Sequence, residues 1–222
     1  MFTRYGIYYT PTGTLADLGS AWLGWDIAKG ISLQQTSIAG PNLELITRRP
    51  RRYGFHATIK PPFGLAEGTS EAGLMLAFEA LCQNLGTVTL DGLTVQRMGR
   101  FLALMPEGSQ KALRDLAAKA VRDLDQFRAP PDAEELTRRR KARLSAAQEA
   151  NLLDWGYPHV MDAFRFHMTL TARLDAVDVV QRSAAAYFEG ALSAPFVIDA
   201  LTLVGEGADG MFHQIKRMPL LG

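Results

Sequence analysis

The chain contains one cysteine, Cys82, in 222 residues. A single cysteine excludes an internal disulfide bond, and such scarcity is usual for proteins of the reducing cytoplasm. Cys82 lies in a stretch with helical periodicity, where a lone cysteine is ordinarily a small buried apolar residue rather than a nucleophile. We therefore expect a cytoplasmic protein that is held together by its core.

Long apolar runs are also missing, and no stretch approaches the roughly 18 residues that span a bilayer. The first residues lack the hydrophobic segment of a signal peptide. Charge of one sign is not in excess, since 24 Lys and Arg against 23 Asp and Glu give a formal net charge of +1. These absences predict no membrane partner and argue against a protein that coats nucleic acid nonspecifically.

A five-residue pattern occurs twice, as FHATI at residues 55–59 and as FHMTL at residues 166–170. Each copy reads aromatic, His, apolar, Thr, apolar, which is the alternation of a β-strand with one buried face. Because side chains at i and i+2 point the same way, each copy places an imidazole beside a hydroxyl. Two such strands facing each other would suit acid–base chemistry on a phosphate ester.

The same order of predicted elements follows each copy of this pattern. Apolar periodicity predicts a helix at residues 70–85 in the first half and at about 175–189 in the second. A strand of the form Asp–small–Leu–Thr–aliphatic comes next, at residues 91–95 and 199–203, and a turn and another strand follow it. The shared β–α–β–β order indicates an internal duplication rather than a chance likeness of two amphipathic strands.

Residues 109–158 separate the two halves and are predicted to form a helical insertion, broken at Pro130 and Pro131. The second part of this insertion carries a basic run at residues 138–143 with acidic residues on both sides. Such a run is usually a solvated helix face. A weak RNA-facing patch is the alternative, but the run lacks the interleaved aromatic residues that stack on bases.

The whole chain, residues 1–222, is expected to form a single bilobal domain. In this division a first His lobe covers about residues 39–108, the helical insertion covers about 109–158, and a second His lobe covers about 159–222. A chain of this length can build one large domain or two small fused lobes with a shared core.

The paired His–x–Thr motifs resemble those of the two-histidine (2H) phosphoesterase superfamily, which includes RNA 2′,3′-cyclic phosphodiesterases. The longer strings at residues 52–63 and 164–171 look more narrowly like a bacterial group of unknown function that is found with phosphonate-utilisation operons. The resemblance implies an α+β, bilobal, pseudo-two-fold (LigT-like) fold with two antiparallel sheets facing a central cleft and helices outside. It also implies cleavage of a cyclic phosphate without a metal or cofactor.

Matched to the motifs of that superfamily, His56 and Thr58 form the first pair, and His167 and Thr169 form the second. The resemblance implies that one histidine activates water while the other protonates the leaving alkoxide. The two threonines would donate hydrogen bonds to the phosphoryl oxygens. The sequence leaves open which histidine has which role.

Lys60 is a candidate ligand for the phosphate, because it lies four residues after His56 and a regular strand would point both to the same face. The alternative is that Pro61 and Pro62 end the strand early and leave Lys60 solvated.

Thr171 has the equivalent place after His167, and Arg173 lies two residues further on, where it could reach the same anion. Both are therefore candidate substrate ligands. Tyr53, three residues before His56, should point away from the site if the strand is regular.

Three functions fit these observations. The first is hydrolysis of a small cyclic or related phosphate ester, with phosphonate metabolism as a candidate setting, and the near-neutral charge favours it. The second is the same chemistry on RNA ends, and the third is phosphate-ligand binding without catalysis. Binding alone would not need a paired acid and base.

Other ligands and partners are less supported. His159 and His213 match neither motif and are expected to be surface or structural histidines. Two histidines without a nearby Asp, Glu or Cys make a poor zinc set, since catalytic zinc normally has three protein ligands. Nothing in the sequence predicts an oligomeric state.

Overall fold

The structure is a computed structural model that describes residues 2–38, 42–175 and 177–222. The strands of these residues are β1 (Tyr5–Tyr9), β2 (Trp25–Asp26), β3 (Ile31–Ser32), β4 (Ala57–Phe63), β5 (Val88–Leu90), β6 (Leu93–Met98), β7 (Phe101–Pro106), β8 (Met168–Thr169), β9 (Phe196–Ile198), β10 (Ala200–Glu206) and β11 (Phe212–Pro219). Their α-helices are α1 (Gly13–Leu23), α2 (Leu43–Arg51), α3 (Glu71–Gln83), α4 (Lys111–Asp123), α5 (Ala133–Arg140), α6 (Ala146–Trp155) and α7 (Val177–Phe188).

The main sheet is made of two antiparallel halves. One consists of β11, β10, β1 and β4, the other of β8, β7 and β6, and the pairing of β4 with β8 joins them into a seven-stranded order. The short pairs β2–β3 and β5–β9 lie apart from this sheet. The predicted α+β fold with two antiparallel sheets is confirmed.

The predicted duplication is present as β4–α3–β5–β6–β7 and β8–α7–β9–β10–β11, with one short strand more in each half than the sequence indicated. The halves exchange hairpins. The sheet that holds β4 takes β10 and β11 from the second half, and β8 pairs with β7 of the first half. Helix α3 likewise packs on β10 and β11, and α7 packs on β6 and β7.

Because of this exchange, the ranges 39–108 and 159–222 mark the sequence repeats and do not correspond to the two spatial halves of the sheet. Residue 39, where the first range was expected to begin, lies outside the described residues, and so does Ala176 within the second predicted helix. Within that predicted range, α7 covers Val177–Phe188.

Local sequence explains why the helix of the first half forms where it does. The Ser70 side chain accepts a hydrogen bond from the backbone N–H of Gly73, which caps the first turn of α3. Leu74, Phe78 and Leu81 lie on one stripe and are buried in the main hydrophobic core. Burial of one such side chain contributes about 1.5–3 kcal/mol, so the amphipathic stripe fixes the helix against the sheet.

The insertion between the repeats is helical, as predicted, but its second part consists of two helices. Helix α5 ends at Arg140, and α6 begins after Ser145, whose side chain and that of Gln148 form a reciprocal capping box. Helix α4 packs against β4 with Leu113, Leu116 and Ala120 buried. Among the described residues, no helix has both the length and the apolar content needed to cross a membrane.

Candidate active site

The two His strands lie side by side, and their alternation is as predicted. In the first copy Phe55, Ala57 and Ile59 are buried, and in the second Phe166, Met168 and Leu170 are buried; the intervening His and Thr side chains are only partly buried. The apolar side chains belong to the main core. Each copy therefore turns its imidazole and its hydroxyl to the opposite face, away from that core.

The register between the strands decides which polar groups meet. Ala57 pairs with Met168 in an antiparallel bridge. Extended by one residue each way, this register would set His56 opposite Thr169 and Thr58 opposite His167. Directly opposite Cβ atoms in such a pair are about 4.5–5.5 Å apart, and diagonal neighbours about 7–8 Å. In that register the two histidines would occupy one diagonal of a His–Thr quartet and the two threonines the other.

Both imidazoles are held in the same way by their own backbone. Nδ1 of His56 lies 2.9 Å from the carbonyl oxygen of Gly54, and Nδ1 of His167 lies 2.8 Å from that of Arg165. A carbonyl oxygen can only accept, so Nδ1 carries the proton in each ring. In the neutral form, Nε2 of each histidine is then the nitrogen with the free electron pair.

His56 is the more enclosed of the two. The ring of Tyr8 stacks on it with a centroid distance of 3.7 Å and an interplanar angle of 21°. Its Nε2 lies 3.1 Å from Oγ1 of Thr58, which donates to it in this tautomer. Desolvation by burial is the main cause that lowers the pKa of His56 to about 4, and the nearby His167 lowers it further. His56 is therefore neutral at neutral pH.

His167 has a looser setting. Its ring and that of Phe101 are 5.9 Å apart and tilted by 52°, so no aromatic ring stacks closely on it among the described residues. Burial lowers the pKa of His167 as well, and the hydrogen bond to the Arg165 carbonyl opposes this effect. Thr169 is paired with Ala103 on β7, so a small side chain lies next to it.

Lys60 does not join the quartet. Its side chain is only 2% exposed, and Nζ donates to the carbonyl oxygen of Val121 at 3.0 Å and to Asp125 at 3.3 Å. The register of β4 against β1 shifts between residues 58 and 60, so the simple i+4 rule fails here. Lys60 anchors β4 to the end of α4, and neither the expected phosphate contact nor the solvated alternative describes this placement.

The other two predicted ligands are also placed away from the quartet. Thr171 is buried, and its Oγ1 accepts a hydrogen bond from the backbone N–H of Leu102 at 3.0 Å. This hydrogen bond ties the residues directly after β8 to β7. Arg173 is exposed in the segment that leaves β8 and makes no hydrogen bond or ion pair with the histidines in the part of the chain that the structure describes.

Two aromatic residues lie near His56 although the sequence did not predict this placement. Tyr8 belongs to β1, the strand between β4 and β10, and no local pattern marks it as a neighbour of a histidine. Tyr53 was expected to point away, yet its ring centroid lies 6.4 Å from that of His56. The reason is Gly54, whose positive φ of 70° turns the chain before β4 begins, so strand alternation does not extend back to residue 53.

The chemistry available at the quartet follows from its donor set. Two imidazoles that carry their protons on Nδ1, together with two hydroxyls, can hold a tetrahedral anion and can both accept and donate a proton. Within residues 2–38, 42–175 and 177–222, no three His, Cys, Asp or Glu side chains are grouped so that they could hold a metal ion.

The chain is thus an α+β protein in which a duplicated strand motif builds a pseudo-symmetric pair of histidines. It belongs to the DUF1045 family, described as a protein of unknown function, whose pattern matches residues 58–213. That range includes Thr58 and the whole second motif. His56 lies just before it.

Two curated relatives carry the name of a kinase. Ribose 1,5-bisphosphate phosphokinase PhnN of Janthinobacterium sp. (strain Marseille) is 40% identical over 232 residues, covering 99% of this chain and 51% of that protein. The protein of the same name from Laribacter hongkongensis (strain HLHK9) is 34% identical, covering 97% of this chain and 51% of its own length. The chain therefore spans about half the length of the curated relatives that it matches.

Solved structures with a related arrangement have low sequence identity to this chain. A crystal structure of a phosphoesterase aligns with a TM-score of 0.49 and 12% identity over the whole of both chains. The Escherichia coli LigT structure complexed with NADP+ aligns with a TM-score of 0.47 and 14% identity, again over both whole chains.

Proposed function

We propose that this chain is a metal-independent phosphoesterase that hydrolyses a small cyclic phosphate ester, with His56 and His167 as its acid–base pair. The observation that carries this proposal is the His–Thr quartet. Two imidazoles on one diagonal, each with Nδ1–H bonded to the carbonyl two residues earlier, direct two Nε2 atoms towards the same face. A phosphate bound between them would meet one proton acceptor and one proton donor.

In the proposed reaction, Nε2 of one neutral histidine takes a proton from water as the water oxygen bonds to phosphorus. The bond between phosphorus and one ring ester oxygen breaks, and the other histidine, protonated at Nε2, gives its proton to that oxygen. The product is a phosphate monoester with a free hydroxyl. Thr58 and Thr169 donate hydrogen bonds to the two non-bridging oxygens, where negative charge accumulates.

The unequal surroundings of the histidines suggest their roles. His56 has the lower proton affinity, with a pKa of about 4, and is the one whose neutral form is secured, which suits the base. His167 is less closely covered, and a bound phosphate would stabilise its protonated form, which suits the acid. In the free protein the Thr58 hydroxyl donates a hydrogen bond to Nε2 of His56. When Thr58 donates to a phosphoryl oxygen instead, Nε2 of His56 can accept a proton.

The curated relatives are named for a kinase that acts on ribose 1,5-bisphosphate, and this makes ribose cyclic phosphates the first compounds to test. The kinase activity itself is not proposed for this half, because the chain contains no Gly-x-x-x-x-Gly-Lys-Ser/Thr loop to cradle the phosphates of ATP. The relatives' name is compatible with a role in phosphonate metabolism.

The test is a hydrolysis assay on ribose cyclic phosphates, cyclic mononucleotides and RNA with a 2′,3′-cyclic end, each with and without EDTA. We expect turnover of a small cyclic phosphate that EDTA leaves unchanged and that His167→Ala abolishes. Preference for the RNA end by a large factor would favour the RNA alternative. Tight binding of cyclic phosphates without any turnover would favour the ligand-binding alternative.

A further inference from the structure

Helix α1 begins without the side-chain cap that usually satisfies the first N–H groups of a helix. Thr12 precedes the helix in an extended conformation, but its hydroxyl makes no capping hydrogen bond, and the first turn carries no acidic residue. Among the described residues, no acceptor pairs with the backbone N–H groups of Thr14 and Leu15. The positive end of the helix dipole therefore presents free donors, an arrangement that suits an anion.

A cavity of about 430 Å³ opens at this end of α1, and its size lies within the range of small-molecule sites, about 300–1,000 Å³. One wall is the first turn of α1, and the other is the segment between α7 and β10. Thr12, Thr14 and Ser193 line the cavity with exposed hydroxyls that have no hydrogen-bond partner among the described residues. Exposed hydroxyls alone do not define a site, so the buried part of the wall decides what the cavity can hold.

Tyr9 belongs to that buried part, because it lines the cavity and is 4% exposed. Its ring lies between those of Phe166 and Phe196, at centroid distances of 6.0 and 5.7 Å. Its hydroxyl makes no hydrogen bond with another described residue, and it is not among the fully enclosed polar atoms without a partner, which belong to Arg139 and Arg217. The Tyr9 hydroxyl therefore reaches the surface of the cavity. Since a buried polar group normally has a partner, this hydroxyl points to a ligand.

The charge in the cavity wall is balanced. Asp199 lines the cavity and pairs with Arg217 at 3.0 Å through one carboxylate oxygen, so the pair adds no net charge. The other carboxylate oxygen has no partner among the described residues and can accept a hydrogen bond. Several donors and one acceptor match a sugar phosphate, whose phosphate oxygens accept and whose hydroxyls donate. Leu192 and Phe196 border the remaining space, which a bare phosphate ion would leave unfilled.

This cavity is separate from the His–Thr quartet. Tyr9 pairs with Ala57 in the register of β1 and β4, and both side chains belong to the main core. The side chains of His56 and Thr58 turn away from that core, to the opposite face of the strand. A ligand bound at Tyr9 would therefore lie behind the first motif, on the other side of the sheet from a phosphate held by the histidines.

We infer that the N-terminus of α1 and the Tyr9 hydroxyl form a second phosphate site, which binds the phosphate monoester of a small sugar. The N–H groups of Thr14 and Leu15 and the hydroxyl of Tyr9 would donate to the phosphate oxygens. Asp199 would accept from a hydroxyl of the sugar. The site goes beyond the proposed function and does not depend on it.

The test is calorimetric titration of ribose 5-phosphate, inorganic phosphate and ribose into a His56→Ala/His167→Ala double variant, which lacks the imidazoles of the quartet. We expect one site that binds ribose 5-phosphate most tightly, inorganic phosphate more weakly and ribose not measurably. In the wild type the same titration should show two sites for ribose 5-phosphate. Thermal denaturation checks that each variant is folded.

Two further substitutions in the double variant address the site itself. Thr12→Asp places a carboxylate cap on the free N–H groups, so the melting temperature should rise while the affinity for ribose 5-phosphate falls at least about tenfold. Tyr9→Phe removes the hydroxyl alone and should weaken binding about tenfold, the effect of one hydrogen bond to a charged group. Ser145→Asp makes the matched change at α6, which is already capped, and should leave the affinity unchanged.

The outcomes separate this inference from the proposed function. Absence of binding to the histidine double variant overturns the inference, even if the wild type hydrolyses cyclic phosphates. Affinity that survives either Thr12→Asp or Tyr9→Phe, or an equal loss in Ser145→Asp, also overturns it because the anion then binds elsewhere. Binding that both substitutions weaken supports the site even if the wild type hydrolyses no ester.

Discussion

The first and second His motifs have the same local structure but different neighbours. In each, Nδ1 donates to the carbonyl two residues earlier, and the Thr two residues later lies on the same face. His56, however, is covered by the stacked ring of Tyr8, whereas the described ring nearest to His167 is that of Phe101, which is tilted and 5.9 Å away. Duplication supplied two equal imidazoles, and their surroundings made them unequal.

The residues that follow the motifs differ even more. Lys60 is paired with Asp125 under α4, and Thr171 accepts from the backbone of Leu102. Positions that are equivalent in the repeat thus serve two different structural purposes. In this fold the equivalence of the two motifs therefore extends to the His and the Thr and ends there.

The largest effect is expected from the histidines themselves. His56→Ala and His167→Ala should each lower kcat by about 10²–10⁴-fold, because each removes one of the two proton transfers. The double variant should be little worse than either single variant, since residues that act as a unit lose their effect together. His213→Ala, at a histidine paired with Asp209, is the control and should keep full activity. Strictly additive losses would show that the two histidines do not work as a pair.

The threonines should come next. Thr58→Ala and Thr169→Ala each remove a donor to a charged phosphoryl oxygen, and we expect kcat to fall about 10²–10³-fold with the fold intact. Thr58→Ser and Thr169→Ser keep the hydroxyl and should retain most of the activity. If both alanine variants turn over at the wild-type rate, the hydroxyls serve only the strands.

Lys60 and Thr171 should affect stability and leave catalysis unchanged. Lys60→Met removes an ammonium that is bonded to Val121 and Asp125, and Asp125 keeps its pair with Arg128, so we expect a loss of about 1–3 kcal/mol in the free energy of unfolding. Thr171→Val leaves the Leu102 N–H without its acceptor and should cost a similar amount. Denaturant unfolding measures both. A large rise in KM at unchanged stability would return Lys60 to the role of phosphate ligand.

The pH dependence should show the inequality of the histidines. The base must be neutral, so activity is lost as pH falls through the pKa of His56, which is about 4. The acid must be protonated, so activity is lost as pH rises through the pKa of His167, which is lowered from its usual value. The bell-shaped pH profile of kcat/KM should therefore have its maximum below pH 6.5. Both limbs of the profile report the coupled pair of histidines. An optimum above pH 8 would contradict these roles.

The smallest effect is expected at Tyr8. Tyr8→Leu removes the ring that keeps water from His56, so the pKa of His56 should rise towards its ordinary value and the acid limb of the profile should move to higher pH by about one unit. Tyr8→Phe keeps the ring and should leave the limb in place. Circular dichroism verifies that the leucine variant is folded. If the acid limb of its profile does not move, other groups desolvate His56.

Much of the fold could be predicted because it depends on local pattern. The alternation in residues 55–59 and 166–170 fixed which side chains enter the core, and the capped amphipathic stripe of α3 fixed a helix. The exchange of hairpins between the halves could not be predicted. Periodicity states that a strand has a buried face, but it does not state which other strand will pair with it.

By itself, then, the sequence determined the duplicated His–x–Thr strands, the order of elements around them and the polar quartet that two such strands can form. The tertiary structure alone placed Lys60 under α4, stacked Tyr8 on His56 and turned Arg139 towards Tyr157. The physical reason is the range of the interactions. Strand alternation follows from the geometry of adjacent residues, whereas burial, stacking and ion pairing depend on segments that are distant in sequence and meet only when the chain folds.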